Sequence, residues 1–237
     1  MSNTYFKFKQ FTVNQDKTSM KVGVDGVLLG AWADATGVKS ILDIGTGTGL
    51  LSLMLAQKSD ASITAIEIDE DAFKQACMNF ENSRWKDRID LHHISFQNFM
   101  DNSNRKFDLI ICNPPYFVKS LKSADSKRNI ARHDDLLPLE TLLFGVSRLL
   151  SVKGRFYIIY PYLQLDDLVA VAEKNTLYPA KKLIVKGKST KLPNRVIVEF
   201  FFNKKDCLAQ EIVVRNFSNN EYTDEYKKLT SGYYLAF

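Results

Sequence analysis

The stretch SILDIGTGTGLLSLMLAQ, residues 40–57, constrains this chain more than any other. A short apolar run leads into three glycines at alternate positions, and an apolar helical pattern follows at once. A strand that becomes a helix through Gly45, Gly47 and Gly49 brings bare backbone to the strand's carboxyl end. Without Cβ atoms the turn can tighten and a ligand can approach the main chain. A plain connection needs one glycine, so the alternation points to a ligand-binding turn at a sheet edge.

The same strand-then-helix unit recurs along the sequence. Short apolar runs predict strands at 40–44, 62–69, 89–96, 107–113 and 154–161. Helical spacing predicts helices at 50–57, 70–83, 138–150 and 165–175, with Ala72, Ala76 and Phe80 on one stripe. Residues 5–15 alternate bulky and polar side chains as a strand or hairpin arm. In KVGVDGVLLGAWAD, Val27, Leu28 and Trp32 share one side of a short helix. AKKLIVKG and NRVIVEFFF read as an antiparallel pair at the edge. The fold class is therefore α/β, a doubly wound, mostly parallel sheet with an antiparallel C-terminal edge pair. No linker interrupts it, so one domain is expected: an extension over 1–38, a core over 39–203 and a tail over 204–237. The closing LTSGYYLAF reads as a packing tail or a last strand.

Composition excludes several classes. Three cysteines, Cys77, Cys112 and Cys207, are too few and too scattered for a disulfide framework, and with three histidines they form no zinc-binding spacing. The first fifteen residues lack the apolar core of a secretory signal, and no run is long enough to cross a membrane. A cytoplasmic protein is expected. The net charge of +5 favours a polyanionic partner without deciding for one.

The ligand follows by elimination. A phosphate cradle of the ATP type ends in Gly-Lys-Ser/Thr, whereas Gly49 is followed by Leu50 and Leu51. A dinucleotide fingerprint needs a further glycine where Leu50 stands. A nucleoside without a pyrophosphate remains. Glu67 lies roughly 20 residues beyond Gly45, the place from which a carboxylate accepts hydrogen bonds from ribose hydroxyls, and Asp69 is two residues on. Two carboxylates would repel a pyrophosphate but suit a cationic sulfonium. Asp43 fits a role near a cofactor amino group, directly or through water. The pattern resembles the class I S-adenosylmethionine-dependent methyltransferases. That resemblance implies cofactor contacts from Asp43, Gly45, Thr46, Gly47, Gly49, Glu67 and Asp69. Upstream, Lys21 and Asp25 sit in a segment able to close over the methionine end, or simply to form a turn and a packing helix.

FDLIICNPPY, residues 107–116, ends a later strand at the same edge. Asn113 offers an amide oxygen to an exocyclic amino group, and Pro114 a carbonyl on constrained backbone. Pro115 stiffens the turn, and Tyr116 offers a face for a flat base. The amino nitrogen of adenine is a poor nucleophile because its lone pair is delocalised. Two acceptors holding its hydrogens would aim that lone pair at a methyl group, in an in-line displacement that requires no metal. The tetrad resembles that of amino-group methyltransferases acting on adenine N6, guanine N2 or a glutamine amide. After the strand at 89–96, where relatives place an acid near the cofactor adenine, this chain has Ser95-Phe96-Gln97-Asn98. Gln97 could bond to the adenine edge and Phe96 could pack on the ring; the sequence does not choose.

Acceptor identity rests on three arguments. Only residues 1–42 precede Asp43, too few for the helical domain usual in the release-factor glutamine enzymes. Likewise, the segment after Pro161 is short for a DNA target-recognition domain. Positive charge gathers in two groups: Lys119, Lys122, Lys127, Arg128 and Arg132 after the tetrad, then Lys186, Lys188, Lys191 and Arg195 at the edge-strand turn. Either group could hold phosphates; Asp125, Asp134 and Asp135 complicate the first.

FKFKQFTVNQ, MKVGVDGVLLGAWA, ILDIGTGTGLLSLMLAQ, AIEID, FDLIICNPPY and ARHDDLLPLE, in that order, resemble the bacterial tRNA adenine-N6 methyltransferases. These modify the adenine beside the anticodon of a valine tRNA. The resemblance implies a splayed adenine in an anticodon loop, addressed by Asn113, Pro114 and Tyr116, with no obligate protein partner. The rivals are an adenine-N6 enzyme for ribosomal RNA or DNA, and an inactive RNA-binding or nucleotide-sensing module.

Overall fold

A computed structural model describes residues 3–18, 21–114 and 137–237. Its centre is an eight-stranded sheet with the order β10-β8-β9-β7-β6-β3-β4-β5. The strands are β3 (Ser40–Ile44), β4 (Ser62–Glu67), β5 (Ile89–His93), β6 (Phe107–Cys112), β7 (Leu150–Pro161), β8 (Tyr178–Lys188), β9 (Arg195–Phe201) and β10 (Leu208–Arg215). β3 to β7 run parallel, β9 is antiparallel to both β7 and β8, and β10 is parallel to β8. The expected antiparallel pair is present. One more strand, β10, lies outside it, drawn from the segment read as a tail.

Alternation along each strand sends side chains to opposite faces. Ile41, Leu109, Ile111, Tyr157 and Ile159 join one core with α1 (Val24–Trp32), α2 (Leu50–Lys58) and α3 (Glu70–Glu81). Leu42, Ile44, Ile110, Phe156 and Ile158 join the other, against α4 (Phe96–Asn102), α5 (Leu139–Leu149) and α6 (Leu165–Lys174). Because both faces are covered, the central strands are largely apolar, with the exceptions Asp43, Thr64 and Glu67 buried in β3 and β4. Several sequence boundaries need correction: β7 already begins at Leu150, where the expected helix was still to end, rather than at residue 154. β4 ends at Glu67 and β5 at His93, and the residues given to the end of the third strand open α4. Ser95 caps that helix by accepting from Asn98 N–H at 3.2 Å.

The sheet neighbours of β3 are β4 on one side and β6 on the other, so β3 marks the point where the winding reverses. Ligands bind outside the carboxyl ends of the strands at such a point. The N-terminal hairpin, β1 (Tyr5–Lys7) with β2 (Thr12–Asn14), packs over α3. Asn79 of α3 fixes it: its Oδ1 accepts from Asn14 N–H (2.8 Å), and its Nδ2 donates to Asn14 O (2.9 Å) and Thr48 O (2.8 Å). Gln75 accepts from Lys17 N–H (3.0 Å). One helix thus ties the N-terminal segment to the glycine turn. At the far end, α7 (Asp224–Thr230) and the aromatic tail close over the hairpin, with Phe8 bridging to Tyr234.

Candidate active site

Between β3, β4 and β6 lies a cleft of about 270 Å³, lined by the glycine turn on one side and by Asn113 and Pro114 on the other. Gly45, Gly47 and Gly49 all have positive φ, at +67°, +58° and +86°. The left-handed region is costly for residues with a Cβ, so the turn requires glycine there. A Cβ on Gly45 or Gly47 would project into open space, whereas one on Gly49 would strike the Phe80 ring. The first two glycines therefore serve the cleft and the third serves helix packing.

Asp43 is fully buried beneath this turn. Its Oδ2 accepts from Thr46 Oγ1 (2.6 Å), Ser52 N–H (3.1 Å) and Ser52 Oγ (2.7 Å), which ties the turn to the start of α2. Burial pushes its carboxyl up to about 6, the three hydrogen bonds oppose that rise, and the nearby Glu67 carboxylate adds to it. Its Oδ1 is buried with no hydrogen-bond partner among the described residues. Asp43 and Thr46 hold the turn from below and do not line the cleft.

Glu67, at the end of β4, does line it and is 8% exposed. Its Oε2 accepts from Gly47 N–H (2.7 Å), and its Oε1 from the N–H groups of Ile68 and Asp69 (both 2.9 Å). Backbone donors thus fix the carboxylate toward the cleft, and an ionised carboxylate offers about four acceptor sites, so it retains capacity for a ligand. Asp69 also lines the cleft while capping α3 through Ala72 N–H (2.8 Å). Ile68, Ala72 and Ile94 supply apolar wall. Both Phe96 and Gln97 reach the lining; Phe96 is otherwise buried in the second core, and Gln97 is half-buried near the start of α4.

The structure therefore brings Gly45, Gly47, Glu67, Asp69, Gln97, Asn113 and Pro114 together. It does not bring Lys21 or Asp25 to the cleft. Lys21 Nζ donates to Asn3 O (3.3 Å), and Asp25 is ion-paired with Arg195 (2.8 Å). Arg195, expected to face phosphate, and Asp25, expected to face cofactor, hold each other. Lys186 of the same basic group pairs with Glu211 on β10 (2.9 Å). Pro115, Tyr116, Lys119, Lys122, Lys127, Arg128 and Arg132 lie outside the described residues. Among the described residues no cluster of His, Cys, Asp and Glu could hold a metal.

The sequence matches the Methyltransferase small domain family over residues 26–135. It is 48% identical over 236 residues to the tRNA1(Val) (adenine(37)-N6)-methyltransferase of Bacteroides fragilis, with 99% of each chain covered. The chain belongs to this family. The namesake from Flavobacterium psychrophilum is 46% identical over 232 residues, covering 97% of this chain and 99% of the relative. Among solved structures, a predicted O-methyltransferase from Agrobacterium tumefaciens is similar in fold, with a TM-score of 0.68 at 15% identity over 88% of this chain and 96% of that one.

In this methyltransferase the cleft also includes residues with no sequence signal of their own. Thr18 lines it because Gln75 and Asn79 hold the preceding segment against α3. Leu137 arrives from just before α5. Ser52 supports the turn from α2. Its place one helical turn into α2 and its polarity amid Leu50, Leu51 and Leu53 were the available hint.

Proposed function

We propose that this chain transfers a methyl group from S-adenosylmethionine to N6 of adenine 37 in tRNA1(Val), the reaction for which its relatives are named. The observation that carries this reading is that the Gly45–Gly47 turn and the Asn113–Pro114 dipeptide open onto one cleft. The residues present fit the cofactor: bare, left-handed glycines face open space, two carboxylates stand at the second strand's end, and apolar side chains form a purine-sized wall.

When bound, S-adenosylmethionine supplies an electrophilic methyl group on a cationic sulfur. Glu67 accepts hydrogen bonds from the ribose hydroxyls, with Asp69 beside it. The N–H groups of the glycine turn and the buried Asp43 beneath them keep that frame rigid. Ile68, Ile94 and Phe96 hold the adenine, and Gln97 reads its polar edge. On the substrate side, the Asn113 amide oxygen and the Pro114 carbonyl each accept one hydrogen of the N6 amino group. This turns the nitrogen lone pair toward the methyl group, so catalysis comes from orientation and matched electrostatics. Pro115 stiffens the tetrad, and Tyr116 offers its face to the target base. The N–C bond would form as the sulfonium's S–C bond breaks to leave a neutral thioether, with one amino proton passing to water during or after attack. The unpaired loop keeps the cost of extruding adenine small.

The whole chain acts as one methyltransferase unit, with Thr18 of the N-terminal extension lining the cleft and β10 of the tail forming the sheet edge. Among the described residues no helix is long and apolar enough to cross a membrane. A tRNA substrate places the enzyme in the cytoplasm.

The test is transfer of labelled methyl from S-adenosylmethionine to total tRNA lacking the modification, followed by nucleoside digestion and loop mapping, with Asn113→Ala as control. Label in N6-methyladenosine at position 37 that vanishes in the variant is the expected result. Label on ribosomal RNA or DNA instead would replace the substrate. Cofactor binding without transfer to any nucleic acid would leave an inactive binding module.

A further inference from the structure

β7 and the β8–β9 hairpin end at the same sheet edge as the cleft. Cys112, next to Asn113, pairs with Ile158 of β7, and Pro161 at the end of β7 pairs with Arg195 at the start of β9. The hairpin tip is well built: Lys191 N–H donates to Lys188 O (3.0 Å), and Asn194 N–H donates to Val185 O (3.1 Å). Tyr162 N–H donates to Asn194 O (3.2 Å), so the short turn after β7 is fastened to the tip. On these joined turns stand two apolar side chains largely open to solvent, Leu163 at 91% exposure and Leu192 at 86%. Lys188 and Lys191 are the first and last residues of the tight turn just before Leu192. Unlike Lys186 and Arg195, neither enters an ion pair among the described residues.

Isolated exposed leucines are ordinary. Two on adjoining turns, with two uncommitted lysines and at the reacting edge, are a surface with a chemistry. We infer that Leu163 and Leu192, flanked by Lys188 and Lys191, form a docking shelf for single-stranded RNA. The lysines hold phosphates and the leucines lie under unstacked bases of the same loop. The inference rests on the tRNA reading above and says where the loop sits on the protein. Charge selects the occupant: a cationic tip on a chain of net charge +5 suits a polyanion. Spacing allows it: the hairpin lies two to three strands from β6, about 10–15 Å across the sheet, and its tip runs about 15 Å further along the strands, a gap of roughly 20 Å that several nucleotides of loop can cross.

The experiment compares wild type, Lys188→Gln/Lys191→Gln and Leu163→Ser/Leu192→Ser. It measures direct binding of unmodified tRNA across a salt series, KM and kcat for tRNA, and cofactor affinity. Leu163, Lys191 and Leu192 are exposed and Lys188 is half-buried at the end of β8, and unchanged cofactor affinity certifies the fold. The expected results are a tRNA-binding salt slope shallower by about 1–2 for the lysine pair and a KM for tRNA raised about tenfold for the leucine pair. Salt slope and KM equal to wild type in both variants would overturn the shelf. Direct binding separates the two readings. If wild type transfers no methyl to tRNA, the substrate reading fails, while loss of RNA binding in the variants still upholds the shelf and unaltered binding still removes it.

Discussion

Arg195 Nε lies 2.8 Å from Asp25 Oδ2, joining the start of β9 to the first turn of α1. Asp25 precedes Gly26, which packs so closely behind Asn113 that a Cβ there would lie 2.9 Å from Leu50 and 3.8 Å from the Asn113 amide nitrogen. The ion pair therefore holds the helix end that backs Asn113, and it is rooted in the strand that leads from the basic hairpin.

Arg195→Ala and Asp25→Ala are each expected to lower kcat for tRNA methylation about tenfold, and the double variant no further than either one. A partly exposed pair contributes only about 1 kcal/mol to stability, so thermal midpoints should move by a few degrees. A double-mutant cycle on kcat and on Tm tests this. Additive losses in kcat would show that the two residues act separately.

Gly47→Ala and Gly49→Ala are expected to fail in different ways. Both force a Cβ into the left-handed region, at about 1–2 kcal/mol. At Gly47 the added methyl enters the open cleft, so cofactor affinity falls at least tenfold while the fold survives. At Gly49 the methyl meets Phe80 in the core, which adds overpacking of about 1–3 kcal/mol. Thermal unfolding alongside cofactor titration separates them: Gly49→Ala should show the larger loss of Tm, and Gly47→Ala the larger loss of affinity relative to its stability.

The cleft was legible because its parts are local. Gly45 to Gly49 and Asn113-Pro114 each sit where an apolar strand stops, and strand ends in a parallel sheet share one edge. Glu67 follows from the same rule applied to the next strand. What escaped was non-local or weakly patterned. The Asp25–Arg195 pair spans most of the chain, and nothing in a single sequence couples two such charges. β10 has its first four residues exposed, so it lacks the buried run that announces the central strands. α4 was hidden because Phe96 continues the apolar pattern of β5, although Ser95 with Phe96, Phe99 and Met100 carries a cap followed by helical spacing. Thr18 has no motif; only the side chains of Gln75 and Asn79 bring its segment to the cleft.

Asp43 gives stability a pH dependence of definite sign. In the unfolded chain its carboxyl titrates at the ordinary 3.8, and in the folded protein at about 6. Between these values the native state binds the extra proton, so this group's contribution is fully present below pH 4. It is lost as pH rises through 6, an effect of up to about 3 kcal/mol. Asp43→Asn cannot titrate. Its Tm is expected to change less than that of wild type between pH 4 and 7, the difference between the two proteins closing toward the acid end. Parallel Tm profiles would show that Asp43 does not titrate in this range.

Glu67→Gln is nearly isosteric, yet it should be costly. Both carboxylate oxygens accept backbone N–H groups, one from Gly47 and two from Ile68 and Asp69. An amide has one oxygen, so whichever way the glutamine turns, its NH2 faces at least one of these N–H donors. If it faces Gly47, the glycine turn is pushed away from the strand end. If it faces Ile68 and Asp69, the start of α3 loses two bonds. Either outcome leaves unpaired donors, at about 1–3 kcal/mol, and removes the negative charge that a sulfonium cofactor and its ribose would meet. The expected outcome is a KM for S-adenosylmethionine raised at least tenfold, with KM for tRNA changed less than threefold, measured by initial rates varying each substrate in turn. Equal changes in both constants would mean that Glu67 supports the whole fold rather than the cofactor side of the cleft.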